Sequence, residues 1–226
     1  MTRLIWLFDI DGTLLLTEGA GRDALVLALR DHFGVEDDLS GIPFAGRTDL
    51  LILGDILTRH GLAFTGEGQA RFWDLVVMHM QRLMDPPRGG LLPGVPNVLD
   101  GVQGEPSWVP ALLTGNVTRM ADLKLGAFGV RERFVFGTYG EEGGDRDAIA
   151  RLAVKRAAER YGVSPQQCVV VGDTEHDVQC ARAAGAHAVA VATGSRSLAE
   201  LEACSPDLAL SDLTDAARLL DWARSL

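Results

Sequence analysis

Five apolar residues in a row, Leu4-Ile5-Trp6-Leu7-Phe8, run straight into Asp9-Ile10-Asp11-Gly12-Thr13. The run reads as a buried strand over residues 4–10, after which a glycine and a hydroxyl turn the chain. Side chains two positions apart on a strand share a side. Asp9 and Asp11 are therefore expected to crowd one small space where the strand leaves the core. Two close carboxylates repel, and one holds a proton unless a cation sits between them. Acid–base, nucleophilic and divalent-metal chemistry all use such a pair.

Beyond this strand the pattern divides in two. Apolar residues recur at helical spacing over Ala20 to Phe33, Arg47 to Leu62 and Gln69 to Met84. The stretch Asp85-Pro86-Pro87-Arg88-Gly89-Gly90 breaks that pattern. Strands and helices then alternate. Strands are expected at Trp108–Leu113, Phe134–Phe136, Cys168–Val171, His187–Val191 and Leu208–Leu210. Helices are expected at Thr118–Phe128, Asp147–Tyr161, Glu175–Ala184 and Leu213–Trp222. The β-branched run Cys168–Val171 marks a strand buried on both faces. The sequence thus predicts an α/β fold, a Rossmann-like parallel sheet with helices on both faces. The core is expected over 1–14 and 89–226, with a helical insertion over 15–88.

Composition narrows the partners. The chain has 226 residues, 47% hydrophobic and 23% charged, as in ordinary globular proteins. A formal net charge of −10 speaks against an extended nucleic-acid surface. An anion is then bound through a metal, helix ends or a few local cations. The three cysteines, Cys168, Cys180 and Cys204, have no CxxC spacing and read as buried inert thiols. No apolar window reaches the ~18 residues of a membrane span. A cytoplasmic protein, a monomer or homodimer, is the expectation.

Ligands in open α/β sheets bind at the carboxyl ends of the strands. The strand ends carry Asp9, Asp11, Gly12 and Thr13; then Thr114, Gly115 and Asn116; then Asp145 and Arg146; then Gly172, Asp173, Thr174 and Asp177. These types fit phosphoryl transfer. Asp9 can attack phosphorus. Asp11 can donate a proton to the leaving oxygen and later take one from water. Thr114 offers a hydroxyl, and backbone N–H groups at the next helix start can hold phosphate oxygens. Asp9 with Asp173 suits a hard cation such as Mg2+.

On these residues the chain resembles the haloacid dehalogenase superfamily, close to its phosphoglycolate phosphatase-like members. Asp9-Ile10-Asp11-Gly12-Thr13 looks like the first motif, Leu112-Leu113-Thr114-Gly115-Asn116 the second, and Val169-Val170-Val171-Gly172-Asp173-Thr174-Glu175-His176-Asp177 the fourth. The resemblance implies a helical cap between the first and second motifs. It implies metal ligation by Asp9, Asp173 and the backbone carbonyl of Asp11, with Asp177 in the outer metal shell. The substrate it implies is a small phosphorylated metabolite. A phosphoglucomutase-like transferase shares these motifs, and a non-catalytic binder of Mg2+ and phosphate is the alternative outside enzymes. A 2-haloacid dehalogenase lacks the second carboxylate, so Asp11 speaks against it.

The third motif departs from the family's Lys-Pro and reads Gly143-Gly144-Asp145-Arg146-Asp147. Arg146 is the expected cation beside nucleophile and phosphate. Lys155 and Lys124 are judged displaced, Lys155 by about 13 Å along a helix. Other readings compete. A calcium loop with Asp9 at its third position would have Leu7 as first ligand and a strand where a helix should enter. Asp173, Thr114 and Asn116 can cap helices. Asp177 can be a helix-surface charge, and His176 reads as a solvated neighbour. Arg47 either reaches substrate from the cap or pairs with a carboxylate.

Overall fold

The computed structural model describes residues 3–226. The first strand, β1 (Leu4–Phe8), is central in a six-stranded sheet. It pairs in parallel with β4 (Trp108–Leu113) on one side and β6 (Cys168–Gly172) on the other. Beyond these lie β5 (Gly137–Thr138) on one flank, and β7 (His187–Val191) and β8 (Leu208–Leu210) on the other. The order is β5-β4-β1-β6-β7-β8, with every pairing parallel.

Parallel strands need crossovers, and helices supply them on both faces. Leu4, Trp6 and Phe8 point to the face covered by α4 (Val95–Gly104), α5 (Thr118–Ala127) and α9 (Ala216–Arg224). Ile5 and Leu7 point to the face covered by α6 (Arg146–Tyr161), α7 (Glu175–Ala184) and α8 (Leu198–Ala203). This two-sided burial is why β1 carries no polar residue. Trp6 is fully buried, stacked 5.9 Å from the Phe8 ring and 5.3 Å from Trp108.

The insertion is helical, as expected: α1 (Ala20–Phe33), α2 (Asp49–His60) and α3 (Gly68–Leu83). Their apolar faces meet in a separate core of Leu25, Leu29, Ile56, Phe72, Val76 and Met80, joined by Val117 and Met120 from the α/β unit. The chain passes out and back side by side. A two-residue ribbon, β2 (Leu15–Leu16) with β3 (Gly90–Leu91), pairs the two passages antiparallel.

Three expectations shift. The strand expected at Phe134–Phe136 is centred later, at Gly137–Thr138, although Phe136 and Val135 already hydrogen-bond to β4. The first strand ends at Phe8 rather than residue 10, which bears on the site. Cys168 and Cys180 are buried, with burial pushing both thiols up to about 12, but Cys204 is only half-buried. Helix α4 was not expected, although Val95, Val98, Leu99 and Val102 recur at helical spacing, whereas α8 and the β2–β3 ribbon are too short to show a period. Among the described residues no helix is long and apolar enough to cross a membrane.

Replacing Trp6 by Ala empties the centre of one core. We expect it to lower unfolding stability by about 3–5 kcal/mol. Urea denaturation followed at equilibrium checks this, and a loss under 1 kcal/mol would contradict the packing described.

Candidate active site

The end of β1 places Asp9 against the end of β6, where its amide donates to the Val171 carbonyl at 3.0 Å. Asp173 follows β6 directly. Its carboxylate accepts from Thr13 Oγ1 at 3.3 Å. Gly12 allows this approach: its φ is 80°, and a Cβ there would sit 2.5 Å from the Asp173 carboxylate. The turn Asp9–Thr13 and the β6–α7 loop are thus pressed together.

Three buried carboxylates meet there. Oxygens of Asp9, Asp173 and Asp177 lie within 4.8 Å of one another. One cation enters the group. Arg146, the first residue of α6, is buried, sets Nη2 2.9 Å from Asp9 Oδ2 and pairs with Asp177 Oδ1. The side chain of Asp145, which accepts from the Ala148 amide at 2.8 Å, fixes the helix start that aims Arg146 inward. Burial opposes the guanidinium charge, but Asp177 and Asp9 hold it protonated.

Three negative charges against one positive leave an excess of two. Burial, aided by Asp177 and Asp11 and opposed by Arg146, pushes Asp9 up from 3.8 to about 6. Burial, with Asp177 and Asp9 beside it, pushes Asp173 up to about 8. A divalent cation with hard oxygen preference fits this donor set and relieves the crowding. Asp177 is otherwise engaged: its Oδ2 accepts from the Thr174 amide at 3.0 Å and hydroxyl at 2.7 Å, closing the turn into α7. This carboxylate is inside the cluster and not a helix-surface charge.

The expected close dyad of Asp9 and Asp11 is divided. Because β1 stops at Phe8, strand alternation does not carry to Asp11. The Asp11 side chain, 42% exposed, turns to a different cation. Lys124 Nζ donates to Asp11 at 2.6 and 2.8 Å and to Asn116 Oδ1 at 2.6 Å. Asn116 Nδ2 donates to Asp11 at 2.7 Å and to Thr114 Oγ1 at 2.9 Å. Thr114 is buried behind Asn116, while Gly115 and Asn116 reach the cavity wall.

Lys124 is the residue that reading by spacing dismissed. Distance along α5 ignores side-chain direction. Helical side chains tilt toward the helix N-terminus, so Lys124 leans back over the end of β4. Lys155 is exposed and pairs with Glu159 at 3.8 Å. A lone lysine among apolar neighbours, Leu123 and Leu125, was the available signal.

The helical cap closes over the site. The Asp49 amide donates to the Gly115 carbonyl at 2.8 Å, and the Val117 amide donates to Asp49 Oδ2 at 2.8 Å. A Cβ on Gly115 would meet the Arg47 carbonyl at 2.3 Å, so a larger residue there would push the cap away. Arg47 lines the cavity while its guanidinium pairs with Asp55. His176 is partly exposed beside the site. The cavity between cap and core is about 680 Å³ and is lined by Asp9, Asp11, Lys124, Arg146 and Asp173 among others.

Residues 6–182 match the model of the haloacid dehalogenase-like hydrolases, and residues 150–216 match a second, HAD-hydrolase-like model. The chain belongs to the haloacid dehalogenase-like hydrolases. It is similar to the phosphoglycolate phosphatase of Pseudomonas putida, 29% identical over 94% of this chain and 78% of that protein. Among solved structures, a predicted phosphoglycolate phosphatase from Haemophilus somnus superposes with a TM-score of 0.74 at 20% identity, covering 96% of this chain and 97% of that one. CbbY from Rhodobacter sphaeroides, in complex with xylulose-(1,5)bisphosphate, superposes with a TM-score of 0.74 at 19% identity, covering 95% and 96%. The likeness to these two structures is one of fold.

The raised carboxylates give a signed pH dependence. Asp9 and Asp173 bind protons more tightly folded than unfolded, so without a divalent cation stability falls as pH rises from about 4 through 6 to 8. A bound cation removes this loss. The rise in melting temperature on adding Mg2+ should therefore be larger at pH 8 than at pH 5. An equal rise at both, or none, would contradict the crowding of these carboxylates.

Proposed function

We propose that this hydrolase is a Mg2+-dependent phosphatase of small phosphomonoesters, working through an aspartyl phosphate on Asp9. The observation that carries this reading is the setting of Asp9: a buried carboxylate at the end of the central strand, beside two further carboxylates and one guanidinium. The P. putida phosphoglycolate phosphatase supports the same activity class.

An Asp9 oxygen attacks phosphorus as the bond to the leaving alcohol breaks, and Asp11 supplies the proton that the alcohol takes away. Water then attacks phosphorus, Asp11 takes its proton, and phosphate and free Asp9 result. Arg146 steadies Asp9 through the ion pair and has its own anchor in Asp177. Lys124 and Asn116 fix both oxygens of Asp11, and Thr114 orients Asn116. Gly115 and Asn116 line the phosphate side of the cavity. Asp9, Asp173 and the carbonyl of Asp11 would hold Mg2+, with Asp177 behind them. Bound there, Mg2+ supplies positive charge to the phosphoryl oxygens and to Asp9. Docking of the cap through Asp49 excludes water while Asp9 attacks. Arg47, committed to Asp55, shapes the cavity wall from the cap side.

A third motif without its lysine would favour a non-catalytic binder, but Arg146 beside Asp9 still sets a cation against the nucleophile.

Phosphate release from a generic phosphomonoester with Mg2+ tests the reading. Asp9→Asn should lower kcat by at least about a thousandfold, and Asp11→Asn by about 10²–10⁴-fold. Wild-type turnover in Asp9→Asn would overturn the proposal.

A further inference from the structure

The roof of the cavity differs from its floor. The floor is charged: Asp9, Asp11, Lys124, Arg146 and Asp173. The cap side carries an apolar patch, Leu25 from α1, Phe44 from the α1–α2 loop, Ile52 from α2, Trp73 and Val76 from α3, with Met120 from α5, and the charged residues Glu18, Arg22, Asp23, Arg47 and Asp49 line the cavity around it. Leu25, Ile52, Val76 and Met120 are at most 4% exposed and packed into the cap core. Phe44 and Trp73 are half-buried and also line the cavity.

We propose that the preferred substrate of this site is a phosphomonoester whose alcohol is an apolar, ring-sized group, in place of a two-carbon acid or a sugar. This rests on the phosphatase reading above. A phosphoryl group and its leaving oxygen occupy the charged floor. A cavity of about 680 Å³ has room for more than the phosphoryl group, and the apolar patch bounds it on the cap side. A sugar placed there would give up water at each hydroxyl and find few partners. Most of the charged groups around this patch are engaged already, Arg47 with Asp55, Asp23 with Arg88 at 2.8 Å, and Asp49 with the Val117 amide at 2.8 Å, while the Glu18 carboxylate at the cavity edge has no partner among the described residues. Hydroxyls that lose water against this patch and stay unpaired cost binding, whereas an apolar ring loses nothing by leaving water. Arg22 opposes this reading. It lines the cavity, has no carboxylate partner among the described residues, and is the cation an acidic substrate would seek. Its guanidinium instead lies 4.8 Å from the centre of the Phe44 ring, covering that ring as a cation does an aromatic face.

The test compares kcat/KM, read as phosphate release with Mg2+, for 2-phenylethyl phosphate, ethyl phosphate, 2-phosphoglycolate and glucose 6-phosphate. All four release primary alcohols, so the roof rather than leaving-group chemistry sets the order. We expect 2-phenylethyl phosphate to lead ethyl phosphate by about a hundredfold, the scale on which pockets read apolar size, and to lead the other two. Trp73→Ala should shrink the lead over ethyl phosphate about tenfold, mainly through KM, and Phe44→Ala serves if that variant does not fold. Phosphate release in which ethyl phosphate, phosphoglycolate or glucose 6-phosphate is equal or ahead would overturn this inference and leave the phosphatase reading standing. A lead that neither variant reduces would also overturn it, since the roof would not be its source. Release from none of the four would overturn the phosphatase reading and this inference with it.

Discussion

The burial of three carboxylates around one guanidinium is the constraint on which the rest of the site depends. At about 4 Å, two like charges cost roughly 4 kcal/mol at an effective dielectric near 20. Asp9, Asp173 and Asp177 hold oxygens within 4.8 Å of one another, close to that separation, on backbone turns at the ends of β1 and β6. Asp9 cannot move without breaking the hydrogen bond its amide donates to the Val171 carbonyl, and Asp177 closes the turn at Thr174. The fold therefore supports an arrangement that opposes itself electrostatically. Arg146 offsets part of that repulsion, and a divalent cation suits the remainder.

The second carboxylate of the opening motif has a separate environment. Asp11 faces Lys124 and Asn116, from α5 and the turn after β4, while Asp9 faces Arg146 at the start of α6. Two cations from two helices thus divide a pair of acids only two residues apart. This division suits unequal duties, one covalent and one protonic. The cap adds a third element: Asp49 bonds to both sides of the turn after Gly115, and burial pushes its carboxyl up to about 6 despite the nearby Lys124. The same core turn that carries Gly115 and Asn116 into the cavity is the one the cap grips.

Much of this was legible in the sequence. The apolar run of β1, the β-branched run of β6 and the amphipathic spacing of α1–α3 announced a parallel sheet with a helical insertion. Arg146 was found from its place before a helix. Other features were hidden for physical reasons. Lys124 lies eight residues past Asn116, and only the backward tilt of helical side chains returns it to the site. The separation of Asp9 from Asp11 depends on where β1 ends, and strand boundaries are set by pairing with neighbours rather than by local pattern. The β2–β3 ribbon is two residues long on each side, too short for any alternation to register. The apolar roof assembles single residues from five separate segments, so no contiguous motif records it.

The account stands on Asp9 as a covalent nucleophile. Acid-quenching the enzyme during turnover of a phosphomonoester with Mg2+, then mapping phosphorylated peptides by mass spectrometry, tests this directly. The account predicts one labile phosphoryl group on Asp9, absent in Asp9→Asn. A phosphoryl group on another residue, or rapid phosphate release with no phosphorylated enzyme trapped at any quench time, would contradict it.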